Sequence, residues 1–194
     1  DLVYEIFEGG VTEVERISFV GNTEFSDRRL RRVLETKQAG LLRAIITADT
    51  FIADRIEFDR QLLQDFYASR GYVDFRITGV NTELASERDA YFVTFNIEEG
   101  QQFDIGEISV QSDLPEVDTL LFRDAIKMKS GQTYSPSTIE NEIARLERLG
   151  VQEGLTFVRV NPRITRNDRT QTLDVAFEMT RGERIFVERI DIEG

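Results

Sequence analysis

A peptide near the start of this chain recurs twice, and this internal repeat constrains the fold more than any other feature. The octapeptide VERISFVG at residues 14–21 returns as VERIDIEG at residues 187–194, and a weaker copy, IGEISV, occupies residues 105–110. The matching isoleucines of the three copies are Ile17, Ile108 and Ile190. These isoleucines are 91 and 82 residues apart, and a repeat of that spacing is the size of a small independent domain. We therefore expect two domains of similar fold.

The repeat also predicts the domain boundaries. Residues 1–9 match only the last strand of a repeat, and residues 185–194 match only its first strand. We therefore expect two complete domains at residues 14–103 and 104–184. Residues 1–13 are expected to end a preceding domain and residues 185–194 to begin a following one, within a longer protein.

Charge and missing residue types exclude several classes of function. The net charge is −12, which disfavours binding to a phosphate backbone or to anionic lipid, so nucleic acid is not an expected partner. The arginine run at residues 28–32 is typical of a solvated helix face, with a phosphate site as the weaker alternative. The sequence has no histidine, which removes the usual general base and metal ligand, while the absence of cysteine does not decide the compartment.

The first repeat has the pattern strand, helix, helix, strand, strand. Ser26 is a good N-cap for the first helix, and Gly71 stands where a glycine commonly ends a helix. Alternation of apolar and polar residues marks the strands. We expect helices over residues 27–36 and 54–70, and strands around residue 17 and over residues 73–81 and 91–97.

The second repeat has the same order. Pro136 is well placed in the first turn of its second helix. The apolar positions of its last strand, Leu173, Val175, Phe177 and Met179, are predicted to face inward. The same is expected of their equivalents 82 residues earlier in the first repeat, Tyr91, Val93, Phe95 and Ile97. We expect helices over residues 118–127 and 135–149, and strands over residues 108–110, 156–164 and 172–180.

These elements predict an α+β fold, in which two helices cover one face of a three-stranded sheet. The hairpin at the end of each repeat leaves one strand at a sheet edge, and the unpaired N–H and C=O groups of an edge can bind an extended peptide. Gly79 is expected to mark a bulge in that strand. The alternative is that the edge residues serve only solubility. The predicted partner-binding residues are Asp74, Arg76, Ile77, Thr78 and Val80 in the first domain and Phe157 and Arg159 in the second.

No motif in the sequence predicts a catalytic, cofactor or metal site. The pair Glu98–Glu99 is interpreted as part of a solvated turn beside Gly100. A rival hypothesis is an enzyme that uses carboxylates alone, such as a glycosidase, which needs two carboxyl groups facing one cleft. The acidic positions of the two repeats do not pair into one such constellation, which counts against it.

Two groups of apolar residues leave alternatives open. Phe66, Tyr67, Tyr72 and Phe75 have the spacing of core residues, with Tyr67 and Tyr72 expected nearest to the surface. The apolar segment at residues 41–51 either packs on its own domain or presents a hydrophobic patch to a partner.

Three segments of the chain together form a specific signature: RISFVGN at residues 16–22, FYASRGY at residues 66–72 and VTFNIEEG at residues 93–100. These segments resemble the POTRA (polypeptide-transport-associated) domains. The second repeat departs from this pattern at its helix exit, where Leu155 stands at the position of Tyr72. The resemblance covers the whole chain and implies tandem β-α-α-β-β domains.

Within the family, the chain is similar to the third and fourth POTRA domains of outer-membrane assembly proteins. The resemblance implies a periplasmic scaffold that precedes a membrane barrel absent from this chain. The implied partners are a BamB-type lipoprotein at residues 14–103, other subunits of the assembly machinery, and unfolded outer-membrane proteins. A transporter of the translocation or two-partner-secretion type, which binds a secreted substrate, remains the alternative.

Overall fold

The computed structural model describes residues 13–37, 52–85, 90–155 and 158–182. The chain divides into two compact units, Asp1–Gln101 and Gln102–Gly194. The apolar segment at residues 41–51 lies outside the described residues.

The described part of the first unit contains three strands and two helices in the predicted order. Its central strand, β3, pairs in parallel with β1 on one side and antiparallel with β2 on the other, giving the sheet order β1-β3-β2. The helices pack on this sheet, as expected for an α+β unit. The elements are β1 (Glu13–Val20), α1 (Asp27–Val33), α2 (Ile52–Ala68), β2 (Arg76–Ala85) and β3 (Ala90–Glu98).

The core of the first unit lies between the central strand and α2. Val93, Phe95 and Ile97 of β3 are buried, which confirms the predicted inward face of this strand. Leu63 and Tyr67 of α2 are fully buried against them. These positions recur at helical spacing, so one face of α2 supplies much of the apolar area that stabilises the unit.

The first helix is shorter than predicted because a tertiary contact ends it. Helix α1 stops at Val33, and Leu34 has an extended backbone with its side chain buried. The next two amides, Glu35 and Thr36, donate to Oδ1 of Asp59 on α2, at 2.7 and 3.3 Å. These two amides therefore donate to the buried Asp59 carboxylate, whereas in a longer helix they would have donated to carbonyl groups of α1 itself.

The second unit repeats this architecture with the sheet order β4-β6-β5. Leu173, Val175, Phe177 and Met179 are buried, as predicted for the inward face of its last strand. The helix expected at residues 118–127 is shorter, since it ends at Asp124. The elements are β4 (Asp104–Ser112), α3 (Thr119–Asp124), α4 (Pro136–Gln152), β5 (Val158–Asn167) and β6 (Thr172–Arg181).

A buried carboxylate performs the same task in both units. Glu142 occupies the position in the second repeat that Asp59 has in the first, and its Oε1 accepts the amide of Met128 at 3.1 Å in the segment after α3. Its Oε2 accepts from Nε of Arg145 at 3.0 Å. In each unit, one carboxylate on the second helix thus accepts backbone amides from the segment that follows the first helix. This carboxylate stands at the same position of both repeats.

The second helix ends in the same way in both units. Gly71 and Gly154 are equivalent positions of the repeat and have positive φ values of 85° and 79°. The following amides, of Tyr72 and Leu155, donate to the carbonyls of Tyr67 and Gly150 at 3.1 and 2.8 Å, which is the Schellman pattern. Leu155 thus takes the place of Tyr72 without changing the helix end.

The described residues contain neither a helix that could span a membrane nor a cluster of side chains that could hold a metal ion. In those ranges, the helices are too short or too polar to cross a bilayer. In the same ranges, His, Cys, Asp and Glu side chains do not gather in groups of three that could hold a metal ion.

Replacing Glu142 by alanine should destabilise the second unit by about 2 kcal/mol, because the Met128 amide and the Arg145 guanidinium lose a buried charged acceptor. Amide hydrogen exchange under native conditions measures this free energy for each unit separately. The matched control is Glu140→Ala, which removes an exposed carboxylate from the same helix. Equal exchange in the two variants would contradict the role assigned to Glu142.

Candidate functional site

The predicted binding strand lies at an edge of its sheet. Strand β2 pairs with β3 along one side, and β3 uses its other side to pair with β1. The outer side of β2 therefore has no strand partner within the described part of the first unit. The predicted residues Arg76, Ile77, Thr78 and Val80 all lie in this strand.

The direction of the β3 carbonyls shows which amides of β2 point outward. The carbonyl oxygen of Ile97 faces Gly21, just after β1, so closely that an added Cβ at Gly21 would come within 2.1 Å of it. Ile97 is paired with Ile77 across the sheet. In an antiparallel pair, the N–H and C=O groups of two opposed residues either all point toward the partner strand or all point away from it. The N–H and C=O of Ile77 therefore point out from the free edge.

A bulge at Thr78 shifts this pattern by one residue. Ile77 pairs with Ile97 and Gly79 with Asn96, so Thr78 is the extra residue, and its hydroxyl donates to the Asn96 carbonyl at 3.2 Å. The bulge expected beside Gly79 is confirmed. Beyond it, the backbone groups of Val80 point outward, followed by alternate residues along β2.

Asp74 does not belong to this edge, so its prediction as a strand residue is wrong. The chain turns between Gly71 and Phe75, where the amide of Phe75 donates to the Tyr72 carbonyl at 3.3 Å, and β2 begins only at Arg76. Asp74 lies in that turn against the backbone of Gly100. The reason is that the Phe75 side chain stacks on Tyr67, with ring centroids 4.0 Å apart, and this contact holds the turn against the core.

The Arg76 side chain projects from the edge strand and pairs with Glu98 on β3. Both side chains are more than half exposed, at 69% and 54%. An ion pair in such a position contributes little to stability, typically under about 1 kcal/mol. Its charges are therefore accessible to a partner at little cost to the fold.

The corresponding strand of the second unit is β5, which lies at the edge of its own sheet. Arg159 is exposed on this strand and is paired with Thr180 on β6. Phe157 lies outside the described residues. Of the two residues predicted here, the structure therefore places only Arg159.

Sequence reasoning missed a buried carboxylate at the end of β3. Glu99 was expected in a solvated turn, but the residue is only 6% exposed, and this expectation is wrong. It accepts hydrogen bonds from the hydroxyl of Tyr67 at 2.7 Å, from the amide and hydroxyl of Thr23 at 2.7 and 2.6 Å, and from the amide of Glu24 at 3.0 Å. One carboxylate thus joins the end of β3, the loop after β1 and the end of α2.

These contacts set the ionisation of both buried groups. Burial by itself raises the pKa of Glu99, but the hydrogen bonds from Thr23, Tyr67 and Glu24 outweigh it and hold the pKa below its ordinary value of 4.5. Burial and the bond to Glu99 raise the pKa of the Tyr67 hydroxyl. Glu99 is therefore charged and Tyr67 neutral at pH 7, and the arrangement is a structural lock within the unit.

The aromatic residues around this lock belong to the core. Tyr67 is fully buried and Tyr72 is 7% exposed, so the expectation that these two reach the surface is wrong. The half-buried Phe66 lies nearer the surface, and the guanidinium of Arg70 stacks on its ring, 3.8 Å from the centroid. The signal that sequence reasoning overlooked is the Tyr67 hydroxyl, which needs a partner when it is buried.

A shallow recess of about 420 Å³ in the second unit bears on the enzyme hypothesis. It is lined by residues of β4, by the end of α3 and by the segment that follows, including Ile108, Arg123 and Met128. Glu107 is the single carboxylate among its described lining residues. A glycosidase needs two facing carboxyl groups, so this recess does not support that hypothesis.

Comparison with known families matches both units. The profile described as "POTRA: Surface antigen variable number repeat" matches residues 12–100 and 103–182. The chain belongs to the POTRA family. The resemblance inferred from the sequence, and the fold it implied, are therefore confirmed.

The chain is also similar to curated proteins named outer membrane protein assembly factor BamA. It is 28% identical to that of Neorickettsia risticii over 195 residues, covering 100% of the chain and 26% of the relative. It is 25% identical to that of Neisseria meningitidis, covering 100% of the chain and 24% of the relative. The chain thus spans about a quarter of the length of these relatives.

Solved structures show the same fold. The crystal structure of Haemophilus influenzae BamA POTRA3-5 superposes with a TM-score of 0.68 at 20% identity, covering 94% of this chain and 73% of that one. The structure of Haemophilus ducreyi BamA lacking POTRA domains 1-3 superposes with a TM-score of 0.62 at 17% identity, covering 87% and 29%. At these identities the likeness shows the fold alone.

Glu99→Gln should destabilise the first unit by about 2 kcal/mol at pH 7, because an amide NH₂ then faces the donating groups of Thr23 and Glu24. The folded-state pKa of Glu99 is lowered, so its contribution is present above the unfolded pKa and is lost as pH falls through the folded pKa, below 4.5. The stability gap between wild type and variant should therefore narrow in acid. Urea unfolding from neutral pH to about pH 3, followed by amide exchange, measures it.

The matched control for this prediction is the neighbouring Glu98→Gln. Glu98 is exposed and pairs only on the surface, so the change should cost less than about 1 kcal/mol. A gap between wild type and Glu99→Gln that stays constant with pH would show that the Glu99 charge does not stabilise the unit.

Proposed function

We propose that this chain is a non-catalytic scaffold of the outer-membrane β-barrel assembly machinery, located in the periplasm. Membership of the POTRA family and similarity to BamA proteins over the whole chain support this proposal. In this view residues 14–103 and 104–184 are the third-like and fourth-like domains, residues 1–13 end a preceding domain, and residues 185–194 begin a following one. The membrane barrel belongs to the longer protein.

The binding site in this proposal is the outer edge of β2. The single observation that carries it is the outward direction of the backbone N–H and C=O groups of Ile77 and Val80, on a strand whose one strand partner among the described residues is β3. An extended segment can form main-chain hydrogen bonds with such an edge without any specific side chain. A scaffold that handles unfolded chains of varied sequence needs this sequence tolerance.

The Arg76–Glu98 pair adds a charged feature beside the backbone edge. Its exposed guanidinium can exchange its partner for a carboxylate of the bound segment. The proposed partners are a BamB-type lipoprotein on the first unit, other accessory subunits, and unfolded outer-membrane proteins. A transporter that binds a secreted substrate would use the same edge, so partner identity rather than the strand chemistry distinguishes the two hypotheses.

Val80→Pro should weaken binding of the whole chain to a purified BamB-type lipoprotein by about tenfold or more, because it removes an outward N–H and blocks the edge. The fold should survive, since the N–H of Val80 does not bond to β3 and the second unit carries Pro162 at the same register. Isothermal titration calorimetry measures the affinity. Val80→Thr keeps the amide and the branched shape and should bind like wild type.

The same titration against a chemically unfolded outer-membrane protein fragment separates the partners. Binding of either partner that is lost in Val80→Pro and kept in Val80→Thr supports the edge site. Binding that survives Val80→Pro would place the site elsewhere. If the wild-type chain binds neither partner, the assembly scaffold is contradicted and the secretion transporter becomes the better hypothesis.

Arg76→Glu should weaken lipoprotein binding several-fold while the melting temperature changes little. The reversal places two negative charges side by side at Glu98, and the lost pair was exposed. Titration at low and high salt should show the difference shrinking as salt rises. Unchanged affinity in a folded Arg76→Glu variant would limit the site to the backbone.

A further inference from the structure

The two edge strands differ in the backbone groups that they present outward. By register, Val160 of β5 faces Met179, and Pro162 faces Phe177. Met179 and Phe177 are the repeat equivalents of Ile97 and Phe95, which are the partners of Ile77 and Val80. Val160 and Pro162 therefore occupy in the second unit the positions of Ile77 and Val80 in the first.

Two observations show that the amide of Val160 points outward from the sheet edge. The hydroxyl of Ser112 in β4 donates to the Met179 carbonyl at 2.9 Å, so the backbone groups of Met179 face β4 and leave those of Val160 facing the free edge. Independently, the Val160 amide donates to Oε1 of Glu147 on α4 at 3.3 Å. The helix thus occupies a donor that an added strand would use.

The next outward position has no donor at all. Backbone groups along a strand alternate in direction, so position 162 points the same way as Val160, and Pro162 has no N–H. Two consecutive outward N–H positions of β5 are therefore closed to an added strand. The N–H of Val160 is bonded to Glu147, and Pro162 has no N–H. Proline on an edge strand is a recognised protection against unwanted strand pairing.

The first unit lacks both features. Gln64 stands in the first repeat at the position of Glu147, and within the described ranges no side chain accepts the amide of Ile77 or Val80. Each of these residues keeps its N–H, so the outward donors of β2 are intact at the positions closed in β5.

We propose that Glu147 and Pro162 close the edge of β5 to strand addition, so that an extended peptide is taken by the first unit and refused by the second. The inference rests on the proposed function of the β2 edge and adds the residues that decide which of two homologous edges acts. Glu147 and Pro162 are specificity determinants because they remove donors and do not touch the bound peptide. The partner class is a β-strand peptide recognised through its backbone.

The test uses the whole chain labelled with ¹⁵N and a synthetic strand peptide. The peptide copies β3, AYFVTFNIE, a sequence that already pairs with β2 in antiparallel register, followed by two lysines for solubility. Amide hydrogen exchange is measured by NMR with and without the peptide. At about ten times its Kd, exchange of the Val80 amide should slow about tenfold, while that of Val160 and Ile164 stays unchanged.

Opening the second edge should reverse this selectivity. In the double variant Glu147→Ala/Pro162→Val, exchange at Val160, position 162 and Ile164 should also slow about tenfold on peptide addition. Pro162→Val alone restores one donor and should give a smaller effect at Ile164. Protection of β6 amides without peptide, equal to that of wild type, shows that each variant is folded.

Each outcome bears on one of the two proposals. Peptide protection of Val160 and Ile164 in the wild-type chain, or no gain at β5 in the folded double variant, overturns the closure by Glu147 and Pro162. A wild-type chain without protection at Val80 contradicts the proposed function of β2. In that case a gain at β5 in the double variant would still support the closure.

Discussion

Among the described residues of each unit, every strand pairs through the last strand. Strand β3 bonds to β1 on one side and to β2 on the other, and β6 does the same for β4 and β5. Its alternating inward residues form the floor of the core on which the helices pack. Because this strand is central in the three-stranded sheet, the first half of its hairpin lies at the edge, and the free edge follows from that central position.

Much of this could be predicted from the sequence because the signals are local or periodic. Alternation identified the inward faces of β3 and β6, and Gly71 identified the end of α2. The equivalent residues Gly71 and Gly154 are 83 positions apart, whereas Phe95 and Phe177 are 82 positions apart. The first unit therefore has one more residue than the second between the end of its second helix and its last strand. The extra residue in the first unit is Thr78, so the bulge is visible in the repeat period.

The remaining features depend on contacts between residues far apart in the chain. Helix propensity continues to Thr36, yet α1 ends at Val33 because Asp59 of another helix binds the next amides. In the sequence, Glu99 resembles any acidic residue beside a glycine. The repeat does not indicate that it is buried, since Arg181 stands at the equivalent position of the second unit. Asp74 was misplaced for the same reason, because the stacking of Phe75 on Tyr67 delays the start of β2.

The bulge at Thr78 limits how long a segment the β2 edge can hold. Outward backbone groups recur at every second residue from Val80 towards the hairpin, but the bulge separates Ile77 from Val80 by an odd number of positions. A regular strand that matches the groups from Val80 onward is out of phase with Ile77 and would need a bulge of its own to continue. The edge therefore favours a short contact of about five residues, and a chain held by so few bonds is released quickly.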